Sequence, residues 1–151
     1  MLRARFSDAL KEAMRARNER VVGTVRLIVA ALKDRDIAAR GKGNHDGIGE
    51  DEIAQMLQSM IKTRRESIVL YEQGGRMELA DREREEIAII EGFLPKQMSE
   101  AEVEAAIRAV IAGVGATSIK DMGKVMAELK ARYAGQMDFS KASAATKALL
   151  G

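Results

Sequence analysis

The chain holds one histidine, His45, and no cysteine, so thiolate nucleophiles, disulfides and Cys-ligated zinc are excluded from its chemistry. His45 sits in Gly43-Asn44-His45-Asp46-Gly47. Metal binding or acid–base work there would need partners that the neighbouring sequence does not offer. Asp46 and Glu50 are the nearest acids, but they do not have the spacing of a calcium loop, and a solvated loop histidine is the expected outcome. The glycine-rich stretch 41–49 invites comparison with a phosphate cradle. It lacks the Gly-Lys-Ser/Thr ending and a preceding strand, and Glu50-Asp51-Glu52 would repel phosphate where the next helix begins. Paired carboxylates such as Glu85-Glu86 read as the solvated face of a charged helix. No serine stands in a Gly-x-Ser-x-Gly setting. No catalytic residue, metal site or cofactor site is expected.

Three kinds of charged position remain. At about 100° per residue, Arg64 falls in the middle of the apolar stripe Ile53, Leu57, Met60, Ile61 and Ile68. Glu83 falls within the stripe Leu79, Ile87 and Ile90, with Glu86 on its border. An Arg and a Glu on the core-facing sides of consecutive helices are expected to pair with each other. Gly123 is the third oddity: it lies in a helical pattern, where glycine costs roughly 1 kcal/mol relative to alanine. Lys120 and Lys124 flank it, and Lys130 follows. A small residue between lysines lets a phosphate backbone approach closely, which predicts nucleic-acid contacts at Lys120, Gly123 and Lys124, with Lys96 and Lys130 as secondary candidates. Close helix–helix packing would also want a glycine, and both readings stand at this point.

The elements that must carry these residues are all helices. Aromatics are 3% of 151 residues, there is one proline, and the apolar content of 46% comes mostly from Ala, Leu, Ile, Val and nine Met. Apolar residues recur with helical period in seven places. The first stripe is Leu2, Phe6, Leu10 and Met14. The second is Val21, Val25, Ile28, Val29 and Leu32, followed by the glycine-rich loop. The Ile53–Tyr71 stripe stops at Gly74-Gly75, and the Leu79–Leu94 stripe stops at Pro95. Ser99-Glu100-Ala101-Glu102 has the form of a capping box that opens a fifth helix, with Val103, Ala106, Ile107 and Val110 on one face. Ser118 is read as the cap of a sixth helix, and Asp138 as the cap of a seventh, Ala-rich one. Pro95 with Lys96-Gln97-Met98 predicts a boundary between an N-terminal four-helix domain, 1–95, and a small three-helix tail, 96–151. The tail lies near the lower size limit for independent folding.

Net charge is +2, but it is unevenly spread. Residues 1–43 carry 11 Lys/Arg against 5 Asp/Glu, whereas residues 44–95 carry 6 against 12. A basic front and an acidic middle are each candidate interaction faces, or attract each other within one bundle. No stretch reaches the ~20 apolar residues of a membrane helix. Met1-Leu2-Arg3-Ala4-Arg5-Phe6 has no apolar signal region, which predicts a cytoplasmic protein without a membrane partner.

Four segments carry a family likeness: Lys62-Thr63-Arg64-Arg65-Glu66-Ser67, Tyr71-Glu72-Gln73-Gly74-Gly75-Arg76, Phe93-Leu94-Pro95-Lys96-Gln97-Met98-Ser99 and Lys120-Asp121-Met122-Gly123-Lys124-Val125-Met126. In this order and spacing they resemble the GatB/YqeY family over essentially the whole chain. The end departs, with Tyr133-Ala134-Gly135-Gln136-Met137-Asp138-Phe139 replacing a more Gly-rich turn. The resemblance implies an all-α fold whose tail is similar to the C-terminal region of the aminoacyl-tRNA amidotransferase B subunit, a module associated with holding tRNA. It also brings a label of carbon–nitrogen ligase with glutamine as amido donor, for which this chain offers neither an ATP site nor an amidase nucleophile. The expected function is therefore a tRNA-binding accessory module, acting with an amidotransferase or an aminoacyl-tRNA synthetase. The alternatives are a protein-interaction module that uses the basic front helices or the tail and, last, an amide-transfer enzyme. With so few aromatics on which to stack bases, structured RNA backbone is the expected target, without DNA specificity.

Overall fold

Each of the seven apolar stripes winds into a helix, and there is no strand, in a computed structural model describing residues 1–151. The helices are α1 (Leu2–Arg15), α2 (Glu19–Gly41), α3 (Glu50–Gln73), α4 (Met77–Glu91), α5 (Glu100–Val114), α6 (Met122–Tyr133) and α7 (Phe139–Leu150). A single 3₁₀ turn, Ile119–Asp121, precedes α6. The chain divides into two compact units, Met1–Leu94 and Pro95–Gly151.

In the first unit, α3 and α4 pack as a hairpin, α1 lies on α2, and α2 also meets α4. The Asn18 side chain caps α2 by accepting from the Val21 amide at 3.3 Å. Glu50, Asp51 and Glu52 place negative charge on the first turn of α3, where the helix dipole favours it. Phe6, Val25, Ile28, Ile53, Met56, Leu57 and Ile90 are fully buried in one cluster. Phe6 meets Phe93 edge to face, with ring centroids 4.9 Å apart. Arg5 lies over the Phe93 ring and donates to the Phe93 and Gly92 carbonyls, which ties the start of α1 to the end of α4. Four stripe members, Met14, Val29, Tyr71 and Leu79, do not join this core. Val29 and Met14 face outward, because the buried side of α2 runs through Val25, Ile28 and Leu32, and that of α1 through Leu2, Phe6 and Ala13.

The second unit closes around Ile107, Val110, Val125, Leu129, Met137 and Ala142. Both halves of the capping box at α5 form: the Glu102 amide donates to Ser99 Oγ at 3.1 Å, and the Ser99 amide donates to Glu102 at 3.2 Å. Asp138 caps α7 by accepting from the Ser140 and Lys141 amides. Buried Thr146 satisfies its hydroxyl by donating to the Ala142 carbonyl at 2.7 Å. Replacing Ser99 with Ala is expected to lower the stability of this unit by about 1 kcal/mol. Chemical denaturation would measure it, and an unchanged midpoint would show that the box carries no net stabilisation.

Candidate nucleic-acid interface

Ser118 caps as expected, but the turn it opens is 3₁₀ rather than the first turn of α6. The Asp121 carboxylate turns back and accepts from the Thr117 and Ser118 amides at 3.0 and 3.4 Å. That closes a 3₁₀ turn and delays the α-helix to Met122. Those amide bonds, with the charge of Lys124 adding to them, hold the Asp121 carboxyl below the ordinary carboxylate range. Gly123 thus lies in the first turn of α6 rather than in its interior, so its propensity penalty there is reduced.

Lys120, Gly123 and Lys124 are all exposed. Burial of Val125 and Leu129 on the opposite side fixes that orientation. A Cβ at Gly123 would meet no heavy atom of this chain within 4 Å. The glycine is therefore not there to let another helix of this unit pack against it, and open space lies above it, beside exposed Lys120 and Lys124.

Lys130 and Lys96 are exposed too, but they do not extend this patch. Lys130 is about 120° around α6 from Lys124 at 100° per residue. Lys96 belongs to the other end of that helix: the Gln97 amide side chain donates to the Gly135 carbonyl at 2.6 Å, and the Met98 amide donates to the Gln136 carbonyl at 2.9 Å. The length of α6, about 18 Å for 12 residues, separates the two ends. The sequence-predicted set thus resolves into one cluster of three and two separated lysines.

Two charged arrangements of the first unit, one at Arg64 and one at Asp36, answer to structure rather than to a ligand. Arg64 Nε donates to Glu86 Oε2 at 2.9 Å, its Nη1 donates to the Met60 carbonyl at 3.1 Å, and Glu83 stands 3.9 Å away. The Arg64 and Glu86 side chains are only 13% and 15% exposed, which withdraws this guanidinium from any nucleic acid. Sequence reasoning missed a second, tighter arrangement. Asp36 receives both terminal nitrogens of Arg3 at 2.7 and 2.8 Å and the Ile48 amide at 3.0 Å. Arg3 also donates to the Ile48 carbonyl at 2.8 Å. The Arg3 hydrogen bonds and the Ile48 amide lower the Asp36 carboxyl to about 2. The signal was available, since Asp36 follows Leu32 by four residues on the buried side of α2, the same kind of misplacement that marks Arg64.

Fold and surface together define an all-helical protein in two units, its second unit edged by a lysine pair at the start of a helix. No helix is long and apolar enough to cross a membrane. The chain belongs to the Yqey-like protein family, which it matches over residues 3–150. It is also 30% identical over 106 residues to a protein of Lachancea thermotolerans named altered inheritance of mitochondria protein 41, mitochondrial. That match covers 69% of this chain and 54% of the relative, so the chain spans about half the relative's length.

Proposed function

We propose that the second unit binds the phosphate backbone of structured RNA, tRNA foremost, as an accessory to an amidotransferase or an aminoacyl-tRNA synthetase that performs the chemistry. The observation that carries this reading is the open space above Gly123 beside exposed Lys120 and Lys124. A backbone oxygen can approach the helix surface there, and the two ammonium groups neutralise it while releasing condensed counterions. Such contacts position an RNA without reading its bases, which fits a surface that presents no aromatic stacking platform. The tRNA assignment itself rests on the resemblance of the tail to the amidotransferase module.

The double variant Lys120→Ala/Lys124→Ala is expected to bind tRNA about tenfold more weakly at low salt and to lower the salt slope by about 2. Gly123→Leu should weaken binding as well, while leaving the fold intact, because Gly123 is exposed and an added Cβ meets nothing of the protein itself. Filter binding at two salt concentrations, with helicity recorded for each variant, is the measurement. Equal affinities and equal slopes for wild type and double variant would remove the site.

A further inference from the structure

Two residues of the first unit are each unfavourable for the fold where they stand, and both line the same cleft. Arg17 follows the end of α1, after the cap Ala16, with φ at +57°, the left-handed region in which glycine is the ordinary choice after a helix. Gly23 lies inside the 23-residue helix α2, where it weakens the helix, yet a Cβ there would meet nothing within 4 Å. No packing demand explains either choice. Together with Met14, Glu19, Val22 and Arg26 they line an open cleft of about 440 Å³. Residues that break a local rule without structural return cluster where function requires them.

The cleft opens onto a longer surface. Along the outer side of α2, Gly23, Leu27, Ala30, Asp34, Ile37 and Gly41 follow one another at spacings of four, three, four, three and four, and all are exposed. This is the a/d seam of a coiled coil, about 27 Å long, without a partner helix. Leu27 and Ile37 are 49% and 55% exposed, and Met14 at the cleft is 52% exposed. Beside the seam, Arg26, Lys33 and Arg40 recur every seven residues as a cationic flank. Arg17, Arg26 and Lys33 form no ion pair.

We infer that this face docks an acidic amphipathic helix of a protein partner, with one apolar side chain seated in the cleft above Gly23 and carboxylates meeting Arg17, Arg26 and Lys33. Charge selects that occupant. An antiparallel second copy would set Arg26, Lys33 and Arg40 against themselves, and a parallel one would set Arg26 against Ala31 and Lys33 against Ala38, which offer no counter-charge. Leu27, Ala30 and Ile37 offer phosphate nothing, so the seam does not suit RNA as the lysine pair of the second unit does. Asp34, polar in the middle of an apolar seam, would fix the register of the docked helix.

The test uses the full chain and a fluorescein-labelled 21-residue peptide with Leu at a and d and Glu at e and g, kept monomeric by its own glutamates. Fluorescence anisotropy should show the wild type binding this peptide at least tenfold more tightly than a counterpart carrying Lys in place of Glu. Arg26→Glu/Lys33→Glu should weaken binding at least tenfold. Arg17→Gly and Gly23→Gln should each weaken it severalfold while raising Tm, which a purely structural role for these residues would not produce. No preference between the two peptides overturns the inference, as does unchanged affinity in Arg17→Gly and Arg26→Glu/Lys33→Glu. A short RNA duplex that binds the wild type and is lost in Arg26→Glu/Lys33→Glu, with the acidic peptide unbound, would assign the face to nucleic acid and overturn it equally.

Discussion

Asp36→Ala is expected to destabilise the first unit by about 3 kcal/mol, since it strips the forked pair from Arg3 and leaves the buried Ile48 amide without an acceptor. Asp36 is the bolt between α1, α2 and the loop at residues 42–49: Arg3 comes from the first, the carboxylate from the second, and Ile48 enters the core from the third. Gly47 belongs to the same arrangement. Its φ is +82°, and a Cβ there would overlap the Asp36 carboxylate, so Gly47→Ala should destabilise by a similar order. The pH dependence follows from the lowered carboxyl. A folded-state pKa of about 2, below the ordinary value of 3.8, makes the unfolded chain the stronger proton binder in acid. The associated stabilisation, roughly 2 kcal/mol, is fully present above about pH 4 and fades as pH falls toward 2. Denaturant titrations of wild type and Asp36→Asn should therefore converge between pH 4 and pH 2. A difference that stays constant across that window would show that the carboxylate's charge contributes nothing.

The second large effect is at Arg64. Its guanidinium bridges α3 to α4 through Glu86 and closes the Met60 carbonyl of its own helix, with Glu83 adding a weaker attraction. Arg64→Ala leaves two poorly solvated carboxylates without a counter-charge. It should cost about 2–3 kcal/mol, less than the 3–5 typical of fully buried pairs because water still reaches both partners. Arg64→Met/Glu86→Leu should recover most of that loss, since an apolar pair of similar volume removes the desolvation penalty together with the attraction. Urea denaturation of Arg64→Met, Glu86→Leu and the double variant gives the coupling energy directly. Additive losses would mean that the 2.9 Å contact carries no net stabilisation. None of these variants should alter the RNA binding proposed for the second unit, whose lysines lie elsewhere in the chain.

Both arrangements were written in the same signal, a charge at a core-facing register of a helix, and only one was read. Arg64, Glu83 and Glu86 lie on consecutive helices whose stripes are unbroken, so the periodicity alone points one toward the other. Asp36 lies late in α2, and its partner Arg3 is 33 positions earlier, where no local pattern singles it out among the arginines of α1. The capping box at Ser99 and Glu102 and the cap at Asp138 were legible because a cap is a bond between residues two or three apart. The start of α6 was not. Ser118 and Asp121 are both good capping residues, and only the folded backbone shows Asp121 drawn into a turn ahead of the helix.

The sequence by itself determined the all-helical class, the seven helices, the loop between α2 and α3, and the pairing of Arg64 with its acids. Each follows from interactions that span one or two turns, or from a stripe that repeats every turn. Tertiary structure alone decided that Val29 and Met14 face outward, that Arg3 meets Asp36, and that Lys96 stands apart from Lys120 and Lys124. It also decided that Arg17 and Gly23, six residues apart and in different elements, share one cleft. Periodicity gives the direction of a side chain about its own helix axis. What that side chain then meets is set by how the helices pack, a long-range property that no single window of the sequence contains.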